Sequence, residues 1–360
     1  MNPSISLGVN SINELNNLYP HKKFSIWHIP EINKEILFKI KSQLGGRIVS
    51  QHIYEMGMPD LDAVSAAQHE NARNNQVKDC VILGIGGGSL MDFLKVLRFS
   101  SLNPNWLKEN LNIALDKVTE DCKRHPLILM PTTAGTGSEI TGTATIWDFK
   151  HKTKHSLFGN QVYADFAIVD PQLCYGAPWI LTRDSALDAL SHALESIWNI
   201  HANDDTRRLA IDACQKICPQ LSVIKNNLNS RIARLALSEG ALLAGMAMSQ
   251  TQTALAHSLS YEDTLGKQVS HGYACASWLP VVWQLVLDTP NNRLVCDFIH
   301  QAIGDFFDSP IDMVRWLDNL GIKSYDPLNM TSEIHHRISM AKSSPRGRNF
   351  VGFTQSHENI

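Results

Sequence analysis

Short apolar runs alternate with helical patterns along the first half of the chain. Residues 23–27 (KFSIW) and 47–53 read as strands, and 33–44 and 61–74 as helices with apolar positions every three to four residues. Residues 79–84 (DCVILG) form a buried strand that runs into a glycine cluster and a helix from about residue 90. Residues 126–130 (PLILM) form another strand, closed by a Gly/Thr-rich loop. Strands and helices alternating at this spacing predict βαβ units and a parallel sheet. After Asp170-Pro171 the strand pattern stops, and the chain reads as successive helices over 181–198, 205–218, 230–261, 272–287, 293–307 and 311–320. The expected fold is an α/β, Rossmann-like N-terminal domain over 1–176 and an all-α C-terminal domain over 177–360.

Composition narrows the function. Of 360 residues, 44% are hydrophobic and 19% charged, as in ordinary globular proteins of about two domains. A net charge of −3 gives no basic footprint for nucleic acid and no cationic face for a membrane, so neither is an expected partner. The N-terminal stretch lacks the basic and apolar regions of a signal peptide. Seven cysteines without CxxC spacing fit reduced thiols, and the expected location is cytoplasmic.

Two loops and one helix carry the chemistry. Gly86-Gly87-Gly88-Ser89 leaves a strand and enters a helix, where backbone N–H groups and the helix dipole favour a pyrophosphate. It is not a full GxGxxG motif, since Ser89 stands at the third glycine position. A second loop, PTTAGTGS (131–138), follows the next strand and adds hydroxyls and two more glycines. Two such loops mark the carboxyl edge of a parallel sheet, where these folds bind nucleotides. In DSALDALSHALESIW, Asp188 and His192 stand at i and i+4 and share a helix face. His257 and His271 follow, and one carboxylate with three imidazoles suits a divalent first-row metal.

Read together, GGGSLMDFLK (86–95), PTTAGTGSE (131–139), KHSLFGNQVYADFAIVDP (154–171), DALSHALES (188–196) and HSLSYEDTLGKQVSHG (257–272) resemble the group III, iron-containing alcohol dehydrogenase family. The resemblance runs in order over roughly residues 5 to 290. It implies a dinucleotide-binding domain, a helical metal-binding catalytic domain, and hydride transfer between NAD or NADP and an alcohol or aldehyde. It makes Asp188, His192, His257 and His271 ligands of Fe2+, with Zn2+ as the alternative ion. Gly86, Gly87, Gly88 and Ser89 become the pyrophosphate loop, with Asp92 and Lys95 supporting it. Thr132, Thr133, Ser138 and Lys154 become cofactor contacts, and the expected assembly is a homodimer.

The chain departs from the family pattern at Tyr261, where many members carry a further histidine, so the expected proton route is through Tyr261, ribose hydroxyls or water. After the first strand the nearest acid is Glu31, which leaves the choice of NAD or NADP open. ALAHSLSY and SHALESIWNIHAN look most like the phosphonate-metabolism branch, which includes reductases of phosphonoacetaldehyde. Lys267, with Arg346 and Arg348, is the candidate cluster for an anionic substrate. Two other readings share these features: a dehydroquinate synthase-like lyase using NAD and a metal, and a non-catalytic metal- or nucleotide-binding regulator. Net NAD(P)H turnover separates both from a dehydrogenase.

Overall fold

The apolar runs of the first half become the strands of one parallel sheet. The computed structural model describes residues 3–74, 79–118 and 122–353, and its chain divides into two units. The first comprises Met1–Thr133 and Ser138–Gly176, the second Ala134–Gly137 and Ala177–Ile360. The first unit contains β1 (Ser4–Leu7), β2 (Phe24–His28), α1 (Lys34–Leu44), β3 (Ile48–Ile53), α2 (Leu61–Arg73), β4 (Val81–Gly86) and α3 (Gly88–Leu97). It continues with β5 (Phe99–Ser101), α4 (Trp106–Asn110), β6 (Cys122–Arg124), β7 (Leu127–Pro131), β8 (Thr143–Asp148), β9 (Thr153–Phe158) and β10 (Phe166–Val169).

Six strands pair in the order β1-β10-β7-β4-β2-β3, every neighbour parallel. β5–β6 and β8–β9 are separate antiparallel pairs. The central strands β4 and β7 are buried along their whole length because side chains of alternate residues feed two cores. Val81, Leu83, Ile85, Ile128 and Met130 join α1 on one face, while Ile82, Leu127 and Leu129 join α2 and α3 on the other. Strand β1 has no buried position, and its alternation, SISL, is only four residues long.

The second unit consists of α5 (Trp179–Ile197), α6 (Asp204–Asn226), α7 (Arg231–Thr251), α8 (Leu255–Gly266), α9 (His271–Leu287), α10 (Arg293–Ile303), α11 (Pro310–Asn319) and α12 (Ser332–Lys342), joined by turns and short 3-10 segments. Helix α6 runs on through Pro219, because Ile217, Leu221 and Ile224 keep its apolar face buried and packing outweighs one lost backbone bond. Helix α7 is long and apolar enough to cross a bilayer by composition, but 56% of that window is buried in the fold, where it packs on α5 and α6.

One expectation is corrected. The helix anticipated over 230–261 is two helices, α7 and α8, separated at residues 252–254, where Gln252 adopts a left-handed φ of 63°. The break holds because its polar groups have partners: Asn199 Nδ2 donates to Gln252 O, Asn349 Nδ2 to Thr253 O, and Ala254 N donates to Glu195.

The C-terminal helix is locked by a buried charge. Asp263 accepts from Trp278 Nε1 at 2.7 Å, Tyr325 Oη at 2.8 Å and both Arg337 Nη atoms, and pairs with Lys267 at 2.8 Å. Burial would raise its carboxyl, but Arg337, Lys267, Trp278 and Tyr325 hold it at about 2. Its folded value lies below the unfolded one, so its stabilisation is present above about pH 4 and is lost as pH falls toward 2. Asp263→Ala leaves Arg337 buried with only the exposed Glu262 opposite, and is expected to cost about 3 kcal/mol in urea unfolding followed by tryptophan fluorescence. An unfolding midpoint equal to that of the wild type would contradict this assignment.

Candidate metal centre and nucleotide loops

In the first unit the two glycine loops start side by side. Gly86 is in register with Pro131, and Thr132 N donates to Gly86 O at 3.0 Å. From β2 the chain moves outward to β3 and then returns to β4 on the opposite side, so the strand order reverses between β2 and β4. Ligands of open α/β sheets bind outside the carboxyl ends of the strands at such a reversal.

The glycines there do different work. A Cβ on Gly86 would fall 2.6 Å from Leu90 Cδ2, so this residue is glycine for packing of α3 on the sheet. A Cβ on Gly87 would meet nothing closer than Thr133 Oγ1 at 3.6 Å, so the space above it is open. Gly88 and Ser89 begin α3, and Gly87, the residue before it, offers no side-chain cap to the amides there. Thr132 Oγ1 is buried without a hydrogen-bond partner beside them. A cradle that only glycine leaves open, next to an unpartnered hydroxyl, fits a pyrophosphate.

Asp92, Lys95 and Ser138 hold the second loop against α3. Ser138 Oγ donates to Asp92 Oδ1 at 2.7 Å, Thr145 N donates to Asp92 Oδ2, and the buried Lys95 Nζ donates to Ser138 Oγ, Thr141 Oγ1 and Thr143 O. Burial pushes the Lys95 ammonium down to about 8 although Asp92 and Glu139 oppose the shift. Lys154 lies on β9 with its ammonium 5.5 Å from the Trp147 ring centroid.

In the second unit, Asp188, His192 and Glu195 stand on one stripe of α5, while Leu187, Leu190, Leu194 and Ile197 fill the apolar core. The Nε2 atoms of His192, His257 and His271 lie 3.9, 3.6 and 3.8 Å from Asp188 Oδ1. His257 comes from the first turn of α8, which the break after α7 aims back at α5. His271 is the first residue of α9, brought close by Gly272, whose Cβ would clash with Asp184 O at 1.9 Å. The donor atoms of Asp188, His257, His271 and Cys275 lie within 4.8 Å of one another. The His271 side chain is 38% exposed and the other histidines are buried, so the cluster opens on the His271 side.

These residues fit a divalent cation. Asp188 Oδ1 and His257 Nε2 are buried with no hydrogen-bond partner, which is costly unless a positive charge sits between them. Burial would raise Asp188, yet His192, His257 and His271 hold it well below the usual carboxylate range. Burial also pushes His192 down to about 4, in the neutral form that a metal ligand needs. His257 Nδ1 donates to Glu195 Oε2 at 2.7 Å, which orients the ring and leaves Nε2 as the nitrogen facing Asp188.

Glu195 is a functional residue that the sequence reading passed over. It is fully buried and also accepts from Ala254 N and His257 N, so one carboxylate caps α8 and orients the His257 ring. Its position seven residues after Asp188 and three after His192 was the available signal. Tyr261 stacks on His271 at 6.4 Å between centroids, and the Arg346 guanidinium lies 5.6 Å from the Tyr261 ring centroid and donates to Thr253 Oγ1. Lys267 is held by Asp263 and Tyr325, and Arg348 by Ser343 O, so of the three cations anticipated for an anion only Arg346 is brought to these residues. Its charge reaches His192.

Comparison with known proteins gives the same two-part division. The sequence model for "Iron-containing alcohol dehydrogenase" matches residues 2–171, and that for "Fe-containing alcohol dehydrogenase family, C-terminal" matches 182–305. Long-chain-alcohol dehydrogenase 1 of Geobacillus thermodenitrificans is 30% identical over 78% of this chain and 72% of its own length. Phosphonoacetaldehyde reductase of Streptomyces viridochromogenes is 32% identical over 60% of this chain, and the match spans about half, 54%, of that relative. The crystal structure of sulfoacetaldehyde reductase from Bifidobacterium kashiwanohense in complex with NAD+ superposes with a TM-score of 0.79, at 23% identity, over 97% of this chain and 92% of that one.

Two outcomes follow from the geometry. Glu195→Gln is expected to lower metal affinity about 10–100-fold, and His257→Ala to abolish tight binding, in competition with a chromophoric chelator. Wild-type affinity in both variants would remove the cluster from consideration as a metal centre. Gly87→Val has room in the fold, so it is expected to keep the wild-type circular dichroism while losing nucleotide binding by calorimetry. Retained binding would show that the loop is only a turn.

Proposed function

The chain belongs to the iron-containing alcohol dehydrogenase family, and from that premise we propose that it interconverts a short aldehyde and its alcohol with NAD(P) held by the first unit and a divalent ion, Fe2+ or Zn2+, held by the second. The observation that supports this most is Asp188 Oδ1 facing three imidazole nitrogens with no hydrogen-bond partner among the described residues.

When bound, the metal ion supplies Lewis-acid polarisation of the carbonyl oxygen and the reduced nicotinamide supplies the hydride. The chain's own residues position and protonate. Asp188, His192, His257 and His271 hold the ion, with Glu195 orienting the His257 ring. Gly87, the start of α3, Thr132 and Thr133 hold the pyrophosphate, and Asp92, Lys95 and Ser138 keep that second loop in place. Tyr261, beside the open His271 edge, carries at its hydroxyl the proton that the product oxygen needs.

The substrate reading is finer: an aldehyde with an anionic tail, of which phosphonoacetaldehyde, reduced to 2-hydroxyethylphosphonate, is the leading candidate. Arg346 supports it, because its guanidinium lies over Tyr261, next to the open side of the cluster, and among the described residues it has no carboxylate partner. A phosphonate carries roughly one to two negative charges near neutral pH, as phosphate esters do, and takes a guanidinium in bidentate fashion.

The test is NADH and NADPH oxidation by iron-loaded protein against phosphonoacetaldehyde and an uncharged aldehyde of similar size. The expected kcat/KM ratio is at least about tenfold, or roughly 1.4 kcal/mol, in favour of the phosphonate. Arg346→Ala is expected to reduce that ratio while sparing the uncharged aldehyde. Equal losses for both would remove the anion site, and no turnover with any aldehyde would remove the dehydrogenase reading itself.

A further inference from the structure

Cys275 differs in its surroundings from the two buried cysteines of α6. Cys214 and Cys218 belong to the apolar core of the helical unit, at the i and i+4 positions of α6. Cys275 is fully buried as well, but it lies outside that apolar cluster. It stands one turn after His271 on α9, with Sγ 3.7 Å from His271 Nε2 and 3.9 Å from Nδ1. Its sulfur, the Asp188 oxygen and nitrogens of His257 and His271 form the set of four donors that lie within 4.8 Å of one another. Donors on one tetrahedral ion lie roughly 3.3–3.8 Å apart, so the 3.7 Å between Cys275 Sγ and His271 Nε2 already fits and the widest pair of the set has to close by about an ångström. Small rotations of buried side chains supply that much.

We propose that Cys275 is a further ligand of the metal centre, adding a thiolate to Asp188 and the histidines. This rests on the reading of that cluster as a metal site. Coordination forms one sulfur–metal bond and breaks the S–H bond, with the proton released to water. A soft sulfur donor shifts a site of one oxygen and three nitrogens toward thiophilic ions, so this chain favours zinc or cobalt over iron more than the four other donors alone would. The packing alternative, a small buried thiol with a weak S–H donor, predicts no such bias.

The probe is cobalt(II) added to metal-free, full-length protein and read by absorption. The expected spectrum has visible d–d bands together with a near-ultraviolet sulfur-to-cobalt charge-transfer band. Cys275→Ser is expected to keep the visible bands and lose the near-ultraviolet one. It should also lower zinc affinity on the order of tenfold or more, the loss that even an outer partner of a metal site carries. The wild-type spectrum decides without any variant: visible bands with no charge-transfer band overturn the role of Cys275 and leave the metal centre standing. A charge-transfer band that survives in Cys275→Ser assigns the thiolate elsewhere and overturns it too. No cobalt bands at all overturn this proposal together with the reading of the cluster as a metal site.

Discussion

A buried carboxylate, Glu195, is the constraint on which the helical unit's chemistry depends. An ionised group with no exposure is stable only if its oxygens are fully hydrogen-bonded, and here the donors are His257 Nδ1, His257 N and Ala254 N. Two of those donors are backbone amides that exist as free donors only because the chain stops being helical at Gln252 and starts again at Leu255. The carboxylate therefore needs the break, and the break needs the carboxylate. Once both are in place, His257 is fixed in position against Asp188. Burial alone would raise the Glu195 carboxyl, and the same His257 contact holds it below the usual range.

The remaining candidate donors are placed by close backbone approach. Gly272 lets the start of α9 lie against Asp184 and Asp188 of α5, and Ser270 both caps α9 through Tyr273 N and bonds Asp184. In the first unit, Lys95 does for the second glycine loop what Glu195 does for α8. It is a buried charge whose donors are taken by Ser138, Thr141 and Thr143, so the loop's shape is set before any ligand arrives. Both units present a preformed site by the same device, a buried ion satisfied mainly by backbone and hydroxyl groups.

The fold class was legible in the sequence because buried parallel strands and core helices leave strong periodic signals, as in VILGIG and ALDALSHALESI. The break at 252–254 was not, because QTQTALAH has no helix-stopping residue and only the distant Glu195 rewards leaving the helix. Asp188 with His192 was visible as an i, i+4 pair, whereas His257 and His271 could be read only as further candidate donors, since no local spacing ties them to α5 and the family motifs alone made them ligands. Glu195 had a readable position but an ordinary-looking identity, as most helical glutamates face water. Lys267 invited an anion-binding role from its place between two histidines, yet Asp263 four residues earlier was the local signal that its charge is already paired. Cys275 was hidden by being one of seven irregularly spaced thiols, and only its proximity to His271 sets it apart.

The central claim is that Asp188 and the three histidines, braced by Glu195, hold one divalent ion. The most direct test is anomalous diffraction at the iron edge from crystals of iron-loaded protein. The account predicts a single peak about 2.0–2.2 Å from an Asp188 oxygen and from imidazole nitrogens of His192, His257 and His271, and its disappearance in crystals of His257→Ala. Iron bound at another position, with no peak among these four residues, would contradict it.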